Sequence, residues 1–376
     1  MNRIVIVGNG FDLAHGLKAR YEDFVVDLLK NAITKAYEKF EKPDVLEPRV
    51  DRFLYMHEDL LTIQMYHNQF DINTLIKFDT VNQYIDSKHF SLSHNPLNST
   101  NIVINYNNFF FKELLHKSNW TDIEHAYFTF LVKLKDNLED VKKLNTDFEK
   151  IKELFIKYLQ KETKDKFITT KPFNSLIEDK ISGGIYGYYN NFIKNRIKSV
   201  LEIEEGESEP KINHIFYINF NYTNILQRIL SECSFRKHNN HITYIHGQLT
   251  ISKNIIFGYG DEMNEHYKVL ESTGNDELLK HFKSHYYGAQ SNYPALLGII
   301  EEDQFDVVVI GHSLGLSDRL LLNTIFEHDN CKFIHLVHNG EDSHFKKRIA
   351  ISRHFNDKKL LRSRLLEYNK DLNIPR

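Results

Sequence analysis

The sequence predicts an α/β protein: a mostly parallel sheet of the nucleotide-binding kind, with a large helical insertion after its first strand–helix unit. Three observations carry this. Short apolar runs near both ends of the chain break into turns rich in Gly, Asn, Asp, His or Ser. The runs do not alternate with polar residues, as expected of strands covered on both faces of a parallel sheet. Between the first run and the rest lies a long stretch with helical spacing of apolar and aromatic residues. In such sheets ligands sit beyond the carboxyl ends of the strands, so the polar turns are expected to converge on one edge.

The first strand is RIVIV, residues 3–7, and it runs into Gly8-Asn9-Gly10-Phe11-Asp12. A strand that ends in G-x-G and opens a helix resembles the first turn of a nucleotide-binding βα unit, where absent side chains let a phosphate approach the backbone. Leu13 stands where G-x-G-x-x-G has its third glycine, so the segment alone fits an ordinary βα turn equally well. Residues 26–210 are expected to form the insertion. Residues 21–36 have helical periodicity, and residues 107–161 repeat apolar side chains at three and four spacing, as in Tyr127, Phe130, Leu131, Leu134 and Leu138. Thr121 and Glu124 fit a capping box. Gly183, Gly184 and Gly187 mark a break before another helix, and the acidic stretch 202–210 reads as a linker. Strands return at residues 215–219, 242–245, 255–257, 305–310 and 333–337, which makes six with the first. The expected division is a Rossmann-like domain of residues 1–25 and 211–376 around an insertion of residues 26–210. Residues 346–368 are expected to add one or two basic amphipathic helices.

Composition narrows the function classes. Over 376 residues, 48 basic side chains face 51 acidic ones, a net charge of −3, so no global attraction to nucleic acid is indicated. Cys233 and Cys331 are the two cysteines, too few for a disulfide framework or a four-cysteine zinc module, and they suit a reducing compartment. No apolar run has the length of a membrane span or a secretory signal. A cytoplasmic protein with no membrane partner and no metal is therefore expected. His281 and His285 have metal-ligand spacing on a helix, but solvent-facing histidines account for them as well.

The stretch FDVVVIGHSLGLSD, residues 305–318, joins a buried strand to a glycine turn and a helix start. Two chemistries use such an arrangement. Gly311-His312-Ser313-Leu314-Gly315 fits the nucleophile elbow G-x-S-x-G, with Ser313 as a hydrolase nucleophile. It equally fits a phosphate-holding turn, with Ser313 as a donor. Asp318, Arg319 and Leu320 follow the elbow in place of small residues, and the stretch after Ser313 is short for further strands carrying Asp and then His. Both points weigh against the hydrolase.

Gly8-Asn9-Gly10-Phe11-Asp12-Leu13-Ala14-His15-Gly16-Leu17, followed by Tyr21 and Phe24, resembles the opening of the bacteriophage abortive-infection AbiH family. Residues 120–124 (WTDIE), 219–223 (NFNYT), 244–247 (YIHG) and 311–315 (GHSLG) resemble its later blocks. The resemblance implies a phage-defence role with a phage-derived trigger; it does not itself give a biochemical activity. The same ordered turns are more weakly similar to sirtuin-type NAD-binding domains. On that similarity Asn221 falls on the asparagine of a Thr-Gln-Asn-Ile-Asp block and His246 on the catalytic histidine. Phe220, Thr223 and His312 depart from the pattern, and the zinc cysteines are missing. The similarity therefore implies NAD binding or cleavage more than deacylation.

NAD, as substrate or ligand, is the expected cofactor. Cleaving its nicotinamide–ribose bond passes through an oxocarbenium-like state and needs no strong acid, because the leaving group is already good. His246 suits the single base required, and Asn221 suits the ribose hydroxyl or the attacking water. The nucleotide is expected on Gly8, Asn9, Gly10, Phe11, Asp12, Gly311, Ser313, Asp318 and Asn339. Asp12 and Asp318 also lie where helices begin, and capping would explain them fully. A non-catalytic nucleotide sensor that recruits a partner is the competing class. An insertion of this kind can serve as a cap or a self-association surface, which is the basis for expecting a homo-oligomer.

Overall fold

In the computed structural model, residues 1–41, 52–66, 72–85, 90–91, 102–108, 110–111, 120–164, 176–181, 184–203, 210–232 and 239–374 are described. Their strands, in chain order, are β1 (Asn2–Val7), β2 (Arg52–His57), β3 (Leu61–Tyr66), β4 (Phe90–Ser91), β5 (Ile102–Tyr106), β6 (His214–Asn219), β7 (Asn239–Tyr244), β8 (Phe305–Ile310) and β9 (Cys331–Leu336). The chain divides into two compact units, one of Met1–Leu17 with Leu159–Arg376 and one of Lys18–Tyr158.

The first unit is built on an all-parallel five-stranded sheet in the order β7-β6-β1-β8-β9. Counted along the chain, that is the 3-2-1-4-5 order of a Rossmann-type sheet. The order reverses between β1 and β8, where Val7 pairs with Ile310 at the carboxyl ends. β1 and β8 are buried at every position, as their unbroken apolar runs require. Helices Ile225–Glu232, Asn292–Glu302 and Arg319–Phe326 cross between successive strands, and Leu321, Ile325 and Phe326 pack with Ile4, Ile6, Val307 and Val309 in the core.

One polar pair is threaded through this core. Arg3 stands opposite Asp306 in the β1–β8 register and meets it through Nε at 2.9 Å and Nη2 at 2.7 Å. Tyr186 donates to the same carboxylate at 2.6 Å. Burial alone would raise Asp306, but Arg3 outweighs it, with help from His335, and holds the carboxyl well below its usual range.

The expected strand at residues 255–257 is not one. These residues are buried and extended, yet Ile256 N donates to His246 O at 2.9 Å and Ile255 N to Ser252 O at 3.2 Å, so they follow a loop and not a sheet. An apolar run reports burial, and burial here comes from packing beneath the loop after β7. The C-terminal helices are Glu341–Ser352 and Lys358–Arg364.

The second unit contains the long helix Tyr21–Glu41 and, after it, a four-stranded sheet in the order β2-β3-β5-β4. Helical spacing did not reveal this sheet. Its signal is the period of two in β3, where Leu61, Ile63 and Met65 are fully buried and Thr62 and Gln64 are not. Helices Trp120–Leu134 and Leu138–Lys164 fit the expected periodicity, and Tyr127 stacks on Phe148 with ring centres 4.2 Å apart. The Thr121 side chain of the expected capping box, and residues 204–209 of the expected linker, lie outside the described residues. Among the described residues, no helix is long and apolar enough to cross a membrane.

Candidate functional site

At the carboxyl edge of the sheet, the turn after β1 packs directly on the turn after β8. Gly8 N donates to Ile310 O at 2.9 Å, Gly10 N to Gly311 O at 2.8 Å, and Phe11 N back to Gly8 O at 2.9 Å. A Cβ on Gly10 would lie 2.8 Å from Gly311 Cα and O, and one on Gly8 would lie 2.5 Å from His312 Cα. Gly311, with φ +65°, completes the contact. The glycines therefore serve an approach of chain to chain, and these three N–H groups are occupied by protein carbonyls. The helix that follows, Asn9–Ala14, is a short one of six residues.

Asp12 belongs to this helix, but its carboxylate does not cap it. It accepts from Asn221 Nδ2 at 3.0 Å and from Thr223 Oγ1 at 2.6 Å. Asn221 Nδ2 also donates to Gly8 O at 3.1 Å, and its backbone N donates to Asn219 Oδ1 at 3.0 Å. The NFNYT turn after β6 is thereby fastened to the turn after β1. Burial raises the Asp12 carboxyl to about 7, against the two hydrogen bonds that favour its charge. Phe11 is buried with its ring 4.4 Å from that of His15, while Asn9 is half-buried.

His246 follows β7 and is only 4% exposed. Its Nε2 lies 3.3 Å from Asp318 Oδ1 and 3.2 Å from the Tyr287 hydroxyl. Asp318 also holds Lys283 Nζ at 2.8 Å, and its other oxygen lies 3.5 Å from His312 Nε2. Asp318 opens the helix Arg319–Phe326 without a side-chain capping bond, so it gathers one ammonium and two imidazoles and is not a cap. The Phe220 ring lies edge-on to both imidazoles, 5.1 Å from His246 and 4.3 Å from His312. Burial, and then the Lys283 ammonium, lower the His246 ring below its ordinary value, with Asp318 opposing. Burial alone would raise Asp318; Lys283 and then His246 outweigh it and keep the carboxylate ionised. A second pair flanks this cluster, Arg319 Nη1 to Asp261 Oδ2 at 3.4 Å.

Lys283 and Tyr287 were not visible as site residues in the sequence. They come from the short helix Lys283–Tyr287, whose letters KSHYY carry no motif. His281 precedes this helix and is buried, while His285 lies within it and is exposed, so the two do not share a ligand face. Among the described residues, no group of three or more His, Cys, Asp or Glu side chains is arranged to hold a metal.

Ser313 lines a separate pocket. It is exposed, and the left-handed residues of the GHSLG turn are Gly311, at φ +65°, and Leu314, at φ +58°. His312, its neighbour, uses Nδ1 to accept from Leu314 N at 2.9 Å. Ser313 and Asn339 line a cavity of about 440 Å³ together with Asp342, Ser343, Lys346 and Lys347. Lys347 Nζ lies 3.4 Å from His312 O, and burial pulls its ammonium down to about 8.

Turns from five separate parts of the chain thus meet at one sheet edge. Gly8, Gly10, Gly311, Asp12 and Asn221 form its floor, His246 and Asp318 its ionisable centre, and Ser313 and Asn339 an adjoining polar cavity. A family model described as bacteriophage abortive infection AbiH matches residues 4–339. Comparison with curated proteins and with solved structures found no match.

Proposed function

Because the chain belongs to the bacteriophage abortive-infection AbiH family, its role is phage defence, and we propose that it serves this role by hydrolysing the nicotinamide–ribose bond of NAD or the equivalent bond of a related nucleotide. The observation that carries the reading is the buried Lys283–Asp318–His246 array at the carboxyl edge of the sheet. Its chemistry is that of a neutral base held beside a fixed negative charge. With His246 lowered, the imidazole is neutral at cellular pH and can take a proton from water. The tautomer that donates Nε2–H to Asp318 leaves Nδ1 with the accepting lone pair. Asp318 then stabilises the imidazolium that forms, and Lys283 keeps Asp318 ionised when the imidazole is neutral.

The bond changes balance without a further reagent. The water oxygen bonds to the ribose carbon, and its proton passes to His246. The nicotinamide nitrogen takes the electron pair of the broken bond and leaves neutral. Asn221 has given both amide hydrogens to Gly8 O and Asp12 Oδ1, so it offers a ligand only its Oδ1. That acceptor suits a ribose hydroxyl.

The test is turnover by the purified chain supplied with NAD, with and without phage lysate. Nicotinamide and ADP-ribose should appear in equal amounts, and His246→Ala should slow their release by roughly 10²–10⁴-fold. NAD that is bound but recovered intact would leave a sensor that recruits a partner. Unchanged turnover by His246→Ala would remove the histidine from the chemistry.

A further inference from the structure

We infer that the cavity lined by Ser313, Asn339, Asp342, Ser343, Lys346 and Lys347 is the phosphate-binding half of the site, so that the ligand's diphosphate lies beside the turn after β8 and not on the glycine turn after β1. This rests on the nucleotide reading for the identity of the ligand, though not for the presence of an anion site.

Three N–H groups of the β1 turn are already taken. The N–H groups of Gly8, Gly10 and Phe11 end on protein carbonyls, and the space a glycine frees is filled by Gly311 and His312. The cavity beside it has the opposite character. All six lining side chains are polar or charged: two ammonium groups, two hydroxyls, one carboxamide and one carboxylate. Lysines and hydroxyls are the usual donors to phosphate oxygens. Its volume of about 440 Å³ falls in the range of pockets that take small organic ligands, well beyond a single phosphate.

Position links the cavity to the buried centre. Lys347 reaches the carbonyl of His312, and the imidazole of that residue reaches Asp318, the partner of His246. One residue therefore touches both compartments. Asp342 adds a selection. A carboxylate accepts from hydroxyls and repels phosphate, so the cavity suits a diphosphate that carries ribose in preference to bare pyrophosphate.

Calorimetric titration of the full chain with ADP-ribose and with pyrophosphate tests this. ADP-ribose should bind more tightly than pyrophosphate. Lys346→Glu, at an exposed position, should weaken ADP-ribose at least tenfold, and Lys347→Gln should weaken it too, both with unchanged thermal unfolding. Failure of the parent chain to bind ADP-ribose, or parent-like binding by both lysine variants, overturns the cavity. The two proposals fail separately. NAD turnover with an unchanged KM in both lysine variants would sink the cavity and leave His246 in place. Lysine-dependent ADP-ribose binding beside NAD that stays intact would sustain the cavity and sink the glycosidic chemistry.

Discussion

Asp12 and His246 stand at the same sheet edge, and burial moves them in opposite senses because it favours the neutral form of each. For Asp12 the consequence is measurable. Unfolded, it ionises near its ordinary 3.8; folded, near 7. Between those values the folded chain keeps a proton that the unfolded chain has released. Its contribution is therefore fully present below about 4 and is lost as pH rises toward 7. Asp12→Asn preserves an acceptor for Asn221 and removes the titration. The variant should gain on the parent chain between pH 5 and pH 8, by roughly 2–3 kcal/mol in urea denaturation. A difference between the two chains that is the same at both pH values would mean Asp12 does not titrate in this range. The sequence placed Asp12 and Asp318 at helix starts, where a cap and a ligand contact looked alike. What it could not supply was the partner. Lys283 and Tyr287 approach from a helix far along the chain, and no local pattern marks a lysine whose counter-ion is brought by tertiary folding.

Elements were legible where one physical cause produced the pattern and obscure where two causes produce the same one. The unbroken apolar runs of β1, β6 and β8 read correctly as strands covered on both faces. Residues 255–257 share that pattern because they too are covered, though by loop packing. The G-x-G turn has the same ambiguity. Glycine is required wherever backbone must approach closely, and the partner can be a phosphate or another strand's turn. Here the partner is the turn after β8. Gly10→Ala distinguishes the causes. Its Cβ would press on Gly311 Cα and O at 2.8 Å, so the chain should lose about 1–3 kcal/mol of stability without any ligand present. A glycine kept only for a ligand would leave thermal unfolding of the free protein unchanged and alter binding alone.

Across the whole molecule, the 3-2-1-4-5 strand order is what brings scattered motifs to one sheet edge. It puts β1 between β6 and β8, so that GNGFD, NFNYT and GHSLG emerge side by side, and it brings the YIHG turn from β7 within reach. That convergence was readable from the sequence, because parallel strands present all their carboxyl ends to one edge. The adjoining cavity was only half readable: Ser313 and Asn339 lie in the turns that follow strands, while Lys346 and Lys347 lie in what looked like a basic surface helix. The defence role joins these scales in a cell. If NAD cleavage is how the protein acts, cells expressing it should lose NAD during infection and release fewer phages. A general base contributes roughly 10²–10⁴-fold, so His246→Ala would extend depletion far beyond the length of an infection. That variant should lose protection at equal protein level, with NAD preserved. Lys346→Glu should behave the same way through weaker substrate binding. A sensor that only recruits a partner separates cleanly from this outcome: it would protect cells while their NAD stays constant, and it would tolerate His246→Ala as long as the nucleotide still binds.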